Sequence, residues 1–210
     1  MKLRLIVAAS CLAVMTSCRI PAPPEPTPTP LPGWRLLVSD LLLGDEAFPE
    51  GWTRIRDLPQ AGLTDLTINH VYRSWWGQDQ GNGKADQAIW RAYTVAAAEK
   101  KYADLRQSQF YLRSTLPPDE FFVEFAPPDE IDFQSGVASE FYLACGWRIW
   151  AHCDVIARYR NYVTSVSLDL EAEQEGHVSH GLTYAETEAI VRAMDAKFAE
   201  AMGEFYPPSQ

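Results

Sequence analysis

The longest regular pattern of apolar and polar residues alternates with a period of two from Val137 to Tyr159. Apolar side chains hold the odd positions except at Ser139, which is typical of strands that bury one face. A single strand of that length is unusual, so the pattern predicts a hairpin that turns near Trp147 to Ile149. This turn would set Cys145 opposite Cys153.

The apolar phase then moves to the even positions. The residues concerned are Tyr162, Val166, Leu168 and Leu170. A shift by one residue moves side chains to the other face unless the chain turns, so we place a turn at Arg160-Asn161. Asn161 is expected to adopt the left-handed backbone conformation, which asparagine tolerates. The region from Val137 onward therefore predicts three successive antiparallel strands.

Two further regions predict strands. Asp65 to Trp76 and Asp86 to Thr94 are rich in β-branched and aromatic residues and flank a polar glycine loop, which favours a hairpin. Phe121 to Phe125 lies between two proline pairs, which indicates a short edge strand or an irregular ribbon, because proline cannot donate to a sheet ladder.

Two segments have the three-to-four spacing of helices. The first runs from Val95 to Phe110, with a stripe formed by Val95, Ala98, Tyr102, Leu105 and Gln109. The second begins at the capping box Thr183 to Glu186 and carries a stripe formed by Ile190, Met194, Phe198 and Met202. We expect Gly203 and the prolines after it to end this helix. The predicted fold class is α+β, an antiparallel β-sheet with two long helices packed on it.

The N-terminus has the charged, apolar and small-residue segments of an export signal. Its apolar run, Leu5 to Val14, is shorter than the roughly 20 residues that a spanning helix needs. Thr16-Ser17-Cys18 resembles a lipobox, which implies a lipid on Cys18 as the link to a membrane. Cys11 also follows small residues, but cleavage there would leave too short an apolar run. A secreted or membrane-retained chain with an idle cysteine is the alternative.

A proline-rich segment follows and predicts an extended stalk without a core, with a proline-rich ligand for another domain as the alternative. The expected organisation is a signal peptide at 1–17, a lipidated cysteine and proline-rich linker at 18–33, one α+β domain at 34–206 and a tail at 207–210. The net charge of −10 disfavours nucleic acid and anionic lipid surfaces as partners, because both require concentrated cationic surface.

Export also changes what the cysteines predict. With Cys11 in the signal and Cys18 lipidated, Cys145 and Cys153 form an even pair, and a disulfide is expected. His177 and His180 are three residues apart and could share a metal on a helix, but Gly176 argues against a helix. We therefore expect a mobile solvated loop there and no metal site.

Motifs for catalysis and cofactors are missing from the sequence. Gln78 to Ala85 resembles a phosphate loop, yet Gln78 and Ala85 replace the required glycine and hydroxyl residue. The nucleophile-elbow and zinc-protease patterns do not occur. We expect no catalytic residue and no cofactor, although a carboxylate pair assembled by the fold would favour a hydrolase.

The tryptophans are the candidate ligand contacts. Trp75, Trp76 and Trp150 are the chosen residues, because aromatic side chains on the outer face of a sheet can stack on sugars or grip a peptide. Trp150 has the opposite parity to the apolar row and is the best exposed candidate. A place in the core is the alternative for each of them.

Several segments together resemble a family of exported domains. They are Phe48 to Trp52, the Cys145 to Cys153 hairpin, Arg158 to Val163 and the closing helix. The chain looks like the sensor-type domains of bacterial lipoproteins and receptor kinases, and is loosely similar to the PsbP-like α/β/α fold. The resemblance implies a curved antiparallel sheet with helices packed against it and a non-catalytic binding role, and it implies no ligand residue.

The leading functional hypothesis is a lipid-anchored, extracytoplasmic binding or sensor module for a small molecule, a glycan or a protein. A structural subunit of a cell-envelope complex is the competing hypothesis, and a secreted hydrolase is the third. A pocket lined by tryptophans and a few convergent polar groups would favour the first.

Overall fold

The computed structural model describes residues 36–60, 67–77, 83–110 and 121–205. Cys11, Cys18, the signal at 1–17, the linker at 18–33, the tail at 207–210 and most of the glycine loop lie outside the described residues. Within those ranges, no helix is both long enough and apolar enough to cross a membrane.

A seven-stranded antiparallel sheet forms the centre of the domain. Its strands are β1 (Trp52–Gln60), β2 (Thr67–Gly77), β3 (Gly83–Ala92), β4 (Val123–Ala126), β5 (Glu140–Trp147), β6 (Ala151–Tyr159) and β7 (Tyr162–Asp169). The second sheet has two strands, β8 (Ala172–Gln174) and β9 (His177–Ser179). Within the described residues, the α-helices are α1 (Val95–Gln109) and α2 (Tyr184–Phe205), and short 3-10 helices lie at Val38–Leu41 and Asp45–Ala47. The predicted α+β fold class is confirmed.

The strand order in the large sheet is β1-β2-β3-β7-β6-β5-β4. The sheet thus consists of two meanders, β1 to β3 and β4 to β7, which meet where β3 pairs with β7. Along this seam Ala85 is paired with Leu168 and Arg91 with Tyr162. Among the strands that the structure describes in the large sheet, this seam is the one pairing between strands far apart in sequence.

The hairpin predicted from the period-two pattern is confirmed as β5 and β6, which turn through residues 148–150. Cys145 and Cys153 are direct cross-strand partners and form a disulfide. Both side chains belong to the buried core on one face of the sheet.

The next turn is where the sequence predicted it, but a different residue adopts the left-handed conformation. Arg160 has a φ of 55°, and Asn161 has none of the positive φ expected for it. Asn161 is buried, and its side-chain amide donates to the carbonyl of Ala92 at 3.1 Å. That bond occupies the asparagine, so the exposed arginine takes the strained position.

Both edges of the sheet are built from residues with weak strand signals. The predicted edge strand at Phe121 to Phe125 is confirmed as β4, shifted by one or two residues. The other edge, β1, was not predicted because its segment contains charged residues and Pro59. Its side chains from Thr53 to Asp57 are exposed, as suits an edge strand.

One face of the sheet is covered by α2 and holds the larger core. Ile190, Met194 and Phe198 from the predicted stripe are buried there, and the ring of Phe198 stacks on Tyr159 at 4.1 Å. The capping box is confirmed, since Glu186 accepts from the backbone N–H of Thr183 at 2.8 Å and donates its own N–H to Thr183 Oγ1 at 3.2 Å. Gly203 does not end the helix, which continues to Phe205.

The opposite face is covered only in part. Ala98 and Tyr102 of α1 pack on Ile156 and Val163 of the sheet, together with Ala92. Val95 was predicted to share this stripe but is 38% exposed, and it is the first residue of the helix. The rest of this face, beyond α1, carries polar side chains.

Candidate functional site

Polar side chains form two rows across the sheet on the face beyond α1. Trp76, Lys84, Asp169 and His152 are successive cross-strand neighbours on β2, β3, β7 and β6. The next row holds Ser74, Asp86, Ser167 and Asp154. Residues two apart on a strand share a face, so both rows lie on the same surface.

Two other segments rise above this surface and form walls. They are the β5–β6 turn at 148–150 and the end of the β8–β9 hairpin. Two adjoining cavities of about 310 and 210 Å³ lie between them and the sheet. We call the combined cavity the cleft; it is lined by Trp76, Lys84, Asp86, Arg148, Ile149, Trp150, His152, Ser167, Asp169, Val178, Ser179 and His180.

The mouth of the cleft is apolar and open to solvent. Ile149 is 71% exposed, Trp150 is 45% exposed and Val178 is 58% exposed. The other exposed large apolar side chains of the described residues line neither cavity. Their grouping around one cavity is the kind of surface that marks binding sites.

Hydrogen bonds hold the β8–β9 hairpin and the residues that follow it against the sheet. Ser179 is buried, and its hydroxyl accepts from the backbone N–H of Ala151 at 3.0 Å. The backbone N–H of Leu182 donates to the carbonyl of Asp169 at 2.8 Å. The hairpin itself turns through Glu175 and Gly176, which both have positive φ and so suit a tight two-residue connection.

Gly181 lets this hairpin approach the end of β7 closely. A Cβ atom at that position would lie 2.1 Å from the carbonyl oxygen of Asp169 and 2.8 Å from the nitrogen of Leu170. Both neighbours are backbone atoms that cannot move aside cheaply. The glycine therefore fixes one wall of the cleft beside the Asp169 carboxyl.

Lys84 and Asp86 form an ion pair on the floor of the cleft, with an Nζ to Oδ2 distance of 2.6 Å. The hydroxyl of Tyr72 donates to the other oxygen of Asp86. Burial lowers the pKa of Lys84, but the Asp86 carboxylate and Tyr72 outweigh burial and the net shift is upward. Lys84 is thus held as an ammonium group against Asp86.

A second charged group lies deeper. Asp154 has a side chain only 3% exposed, and Arg148 and His152 lie 3.6 Å from its carboxylate. Burial raises the pKa of Asp154, while His152, Ser167 and Arg148 oppose that shift. Burial lowers the pKa of His152, and the Asp154 carboxylate offsets that shift only in part.

Asp169 differs from the other two carboxylates. Its Oδ2 accepts from the backbone N–H of Lys84 at 2.8 Å, and the side chain of Trp150 is its other donor. Burial is the main reason that its pKa rises to about 6, and the Asp86 carboxylate adds to the rise. The bond from Trp150 ties the indole at the mouth to this carboxyl.

No family model matches this chain, and no curated protein matches it. Among solved structures, the fold is similar to the extracellular domain of PknH from Mycobacterium tuberculosis. The likeness has a TM-score of 0.52 at 10% identity and covers 82% of this chain and 98% of that domain. At this identity the comparison shows a shared fold, which agrees with the resemblance to exported domains. The PsbP-like resemblance stays a prediction.

The structure separates the three tryptophans that the sequence singled out. Trp76 and Trp150 both line the cleft. Trp75 is fully buried on the other face, where it stacks on Phe48 at 4.3 Å and donates to Asp45 at 3.1 Å. Trp75 is therefore a core residue, because its strand places it opposite Trp76.

The two histidines do not lie in a mobile loop, because their segment folds into the β8–β9 hairpin. His177 stacks on Phe121 at 4.4 Å, whereas His180 lines the cleft. Residues three apart on an extended chain point to opposite faces, so the pair is not arranged as on a helix. In the described ranges, no group of three His, Cys, Asp or Glu side chains could hold a metal ion.

Sequence reasoning missed the polar floor of the cleft. The signal lies in the even positions of β6, which alternate with its apolar odd positions. These even positions are His152 and Asp154, followed by the apolar Ile156. Every residue of β6 is buried, including these polar ones. Polar residues at even positions of a strand that is buried on both faces mark a polar cavity, and that signal could have located the site.

Proposed function

We propose that this domain is an extracytoplasmic, non-catalytic binding or sensor module that takes a small ligand in the cleft, and that a lipid on Cys18 holds it at a membrane. The observation that carries the binding role is the arrangement of the cleft. Exposed Ile149, Trp150 and Val178 surround a floor of buried or half-buried charged groups. Ligand sites typically combine apolar walls with a few placed polar groups.

The location rests on separate support. The disulfide between Cys145 and Cys153 suits an oxidising compartment, where such bonds persist. The likeness to an extracellular domain concerns the fold and is compatible with the same location. The anchor itself is supported by the lipobox-like residues Thr16, Ser17 and Cys18.

A thermal-shift screen of the purified full chain tests the binding role. A ligand that binds only the folded state raises the melting temperature, by an amount that grows with its concentration over Kd. We expect at least one class of small ligand to do so, and Trp150→Ala to abolish the shift. Val137→Ala is the matched control, because Val137 is comparably exposed outside the cleft. A ligand whose shift survives Trp150→Ala would place binding elsewhere.

Mass spectrometry of the chain extracted from membranes tests the anchor. We expect a mature N-terminus at Cys18 with diacylglycerol on its sulfur, and release of Cys18→Ala from the membrane fraction. A mature chain that begins at another residue, or an unmodified Cys18 on a membrane-bound chain, contradicts the proposal.

A hydrolase is the competing class, and one observation favours it. The Asp169 carboxyl, with a pKa of about 6 inside the cleft, could serve as an acid or a base near neutral pH. The two functions separate when the bound ligand is recovered and analysed. An unaltered ligand supports the binding module, whereas turnover that is lost in Asp169→Asn supports the hydrolase.

A further inference from the structure

The charges around the cleft cancel in two pairs. Lys84 is 2.6 Å from Asp86, and Arg148 is 3.6 Å from Asp154. Asp154 is almost completely buried beneath its partners, and Tyr72 bonds to Asp86. These four charged groups therefore offer a ligand little net charge.

Asp169 is left over from this pairing. Among the residues that the structure describes, no cation lies within ion-pair distance of its carboxylate. Its two donors, the backbone N–H of Lys84 and the side chain of Trp150, are both neutral. When it is ionised, Asp169 adds a negative charge to the cleft, and the nearby Lys84, which is already paired with Asp86, offsets that charge only in part.

Aromatic side chains stand beside this carboxyl. Trp76 and Trp150 line the larger cavity together with Asp169, and Ile149 and Val178 complete its apolar part. Indole faces attract cations, and the attraction is strongest where water is excluded. A neutral sugar could also stack on these rings but would leave the charge of Asp169 only partly compensated, and an anion would be repelled by it.

We propose that the cleft selects organic cations, with a primary or quaternary ammonium group held between Asp169 and the indoles of Trp76 and Trp150. The inference rests on the proposed binding function and names the ligand class of that same cleft. The cavity of about 310 Å³ admits a small amine rather than a folded partner.

Binding of a cation should then depend on pH. The other titratable or charged groups around Asp169 are Lys84 and Asp86 on β3, Arg148, His152 and Asp154 around the β5–β6 turn, and His180 after β9. Because the pKa of Asp169 is about 6, its ionised fraction rises about tenfold from pH 5 to pH 7. Affinity for a cation should rise by the same factor.

The test measures binding to the purified full chain by tryptophan fluorescence and by calorimetry. The probes are choline and putrescine, each with a neutral analogue of similar shape, 3,3-dimethylbutan-1-ol and 1,4-butanediol. We expect at least one cation to bind at least tenfold more tightly than its neutral analogue at pH 7. Equal affinity of cation and analogue would overturn the inference.

Asp169→Asn should weaken cation binding at least tenfold at pH 7 and remove its dependence on pH, because the amide keeps the acceptor oxygen but loses the charge. Glu171→Gln is the matched control: it removes an exposed carboxylate that is two residues away and does not line the cleft. It should bind the cation like the unaltered chain. Unchanged binding in Asp169→Asn, with folding verified by circular dichroism, contradicts the proposal.

The same assay separates failure of the ligand class from failure of the binding function. If neither cation binds but methyl glucoside or maltose does, and Trp150→Ala abolishes that binding, the cleft is a ligand site and the cation inference is wrong. If no cation or sugar in the assay binds at millimolar concentration, the cation inference falls and the proposed binding function loses its support.

Discussion

The two faces of the central sheet differ in the kind of side chain that they bury. On the face covered by α2, the buried residues are mainly apolar, and Phe198, Tyr159 and Met194 fill the space between helix and sheet. On the other face, α1 covers only one end, and the polar cleft occupies the rest. The first face provides most of the hydrophobic stabilisation, whereas the second places charged groups where burial opposes their ionisation.

The largest effect should come from the core face. Phe198→Ala removes a fully buried ring that stacks on Tyr159, and we expect a loss of about 3–5 kcal/mol in the free energy of unfolding. Urea denaturation followed by circular dichroism measures it. Val178→Ala at the exposed mouth of the cleft is the comparison and should change stability far less. Similar losses for both variants would remove the distinction between the faces.

The disulfide should have the next largest effect. Replacing Cys145 and Cys153 together by alanine removes a cross-link between buried strands. The chain-entropy model gives a loss of about 2–3 kcal/mol for so short a loop. Urea denaturation of the double variant measures it, with the unaltered chain under reducing conditions as the control. A reduced chain as stable as the oxidised one would show that noncovalent packing alone fixes this hairpin.

On the cleft face, removal of a charge should stabilise the domain. Burial raises the pKa of Asp169 from its usual 3.8 to about 6, so the folded state keeps a proton that the unfolded chain releases. Stability from this group is present below pH 4 and is lost as the pH rises through 6. At pH 7.5, the free energy of unfolding of Asp169→Asn should exceed that of the unaltered chain by on the order of 2 kcal/mol. At pH 4 the two free energies should converge.

The midpoints of urea denaturation at pH 4 and pH 7.5 test whether Asp169→Asn is the more stable chain at the higher pH. Glu171→Gln, which changes an exposed carboxylate, should behave like the unaltered chain at both pH values. If Asp169→Asn is less stable than the unaltered chain at pH 7.5, other groups in the folded protein stabilise the ionised carboxylate. Burial on the cleft face then opposes ionisation less than described.

The smallest effect on stability is expected at the mouth of the cleft. Ile149→Ser changes a side chain that is 71% exposed, so the free energy of unfolding should change by no more than about 0.5 kcal/mol. Affinity for any cleft ligand should nevertheless fall, because an apolar wall is lost. Val137→Ser is the matched control and should alter neither quantity. A large loss of stability in Ile149→Ser would mean that the mouth is structural.

The sequence predicted the core face better than the cleft. The alternation from Val137 to Tyr159 determines which side chains of β5 and β6 face α2, and the stripe of Ile190, Met194 and Phe198 determines the matching side of the helix. Such periods arise because regular elements bury one side. Local capping at Thr183 was equally predictable from four neighbouring residues.

The cleft escaped prediction because it is assembled across the seam. Lys84 and Asp86 come from β3, whereas Asp154 and Asp169 come from β6 and β7, and only the pairing of β3 with β7 brings them together. A local sequence pattern does not determine which distant strand will pair with a given strand. The sequence also did not show which side of β2 faces the core: Trp75 faces the core and its neighbour Trp76 faces the cleft.

The seam also determines the order in which structure can form. The hairpins within each meander close short loops, whereas joining Ala85 to Leu168 closes a long one and should come late in folding. A molecule bound in the cleft touches both meanders and resists their separation. Hydrogen exchange at the backbone amides of β3 and β7 should therefore slow more than exchange at β1 or β4 when the cleft is filled.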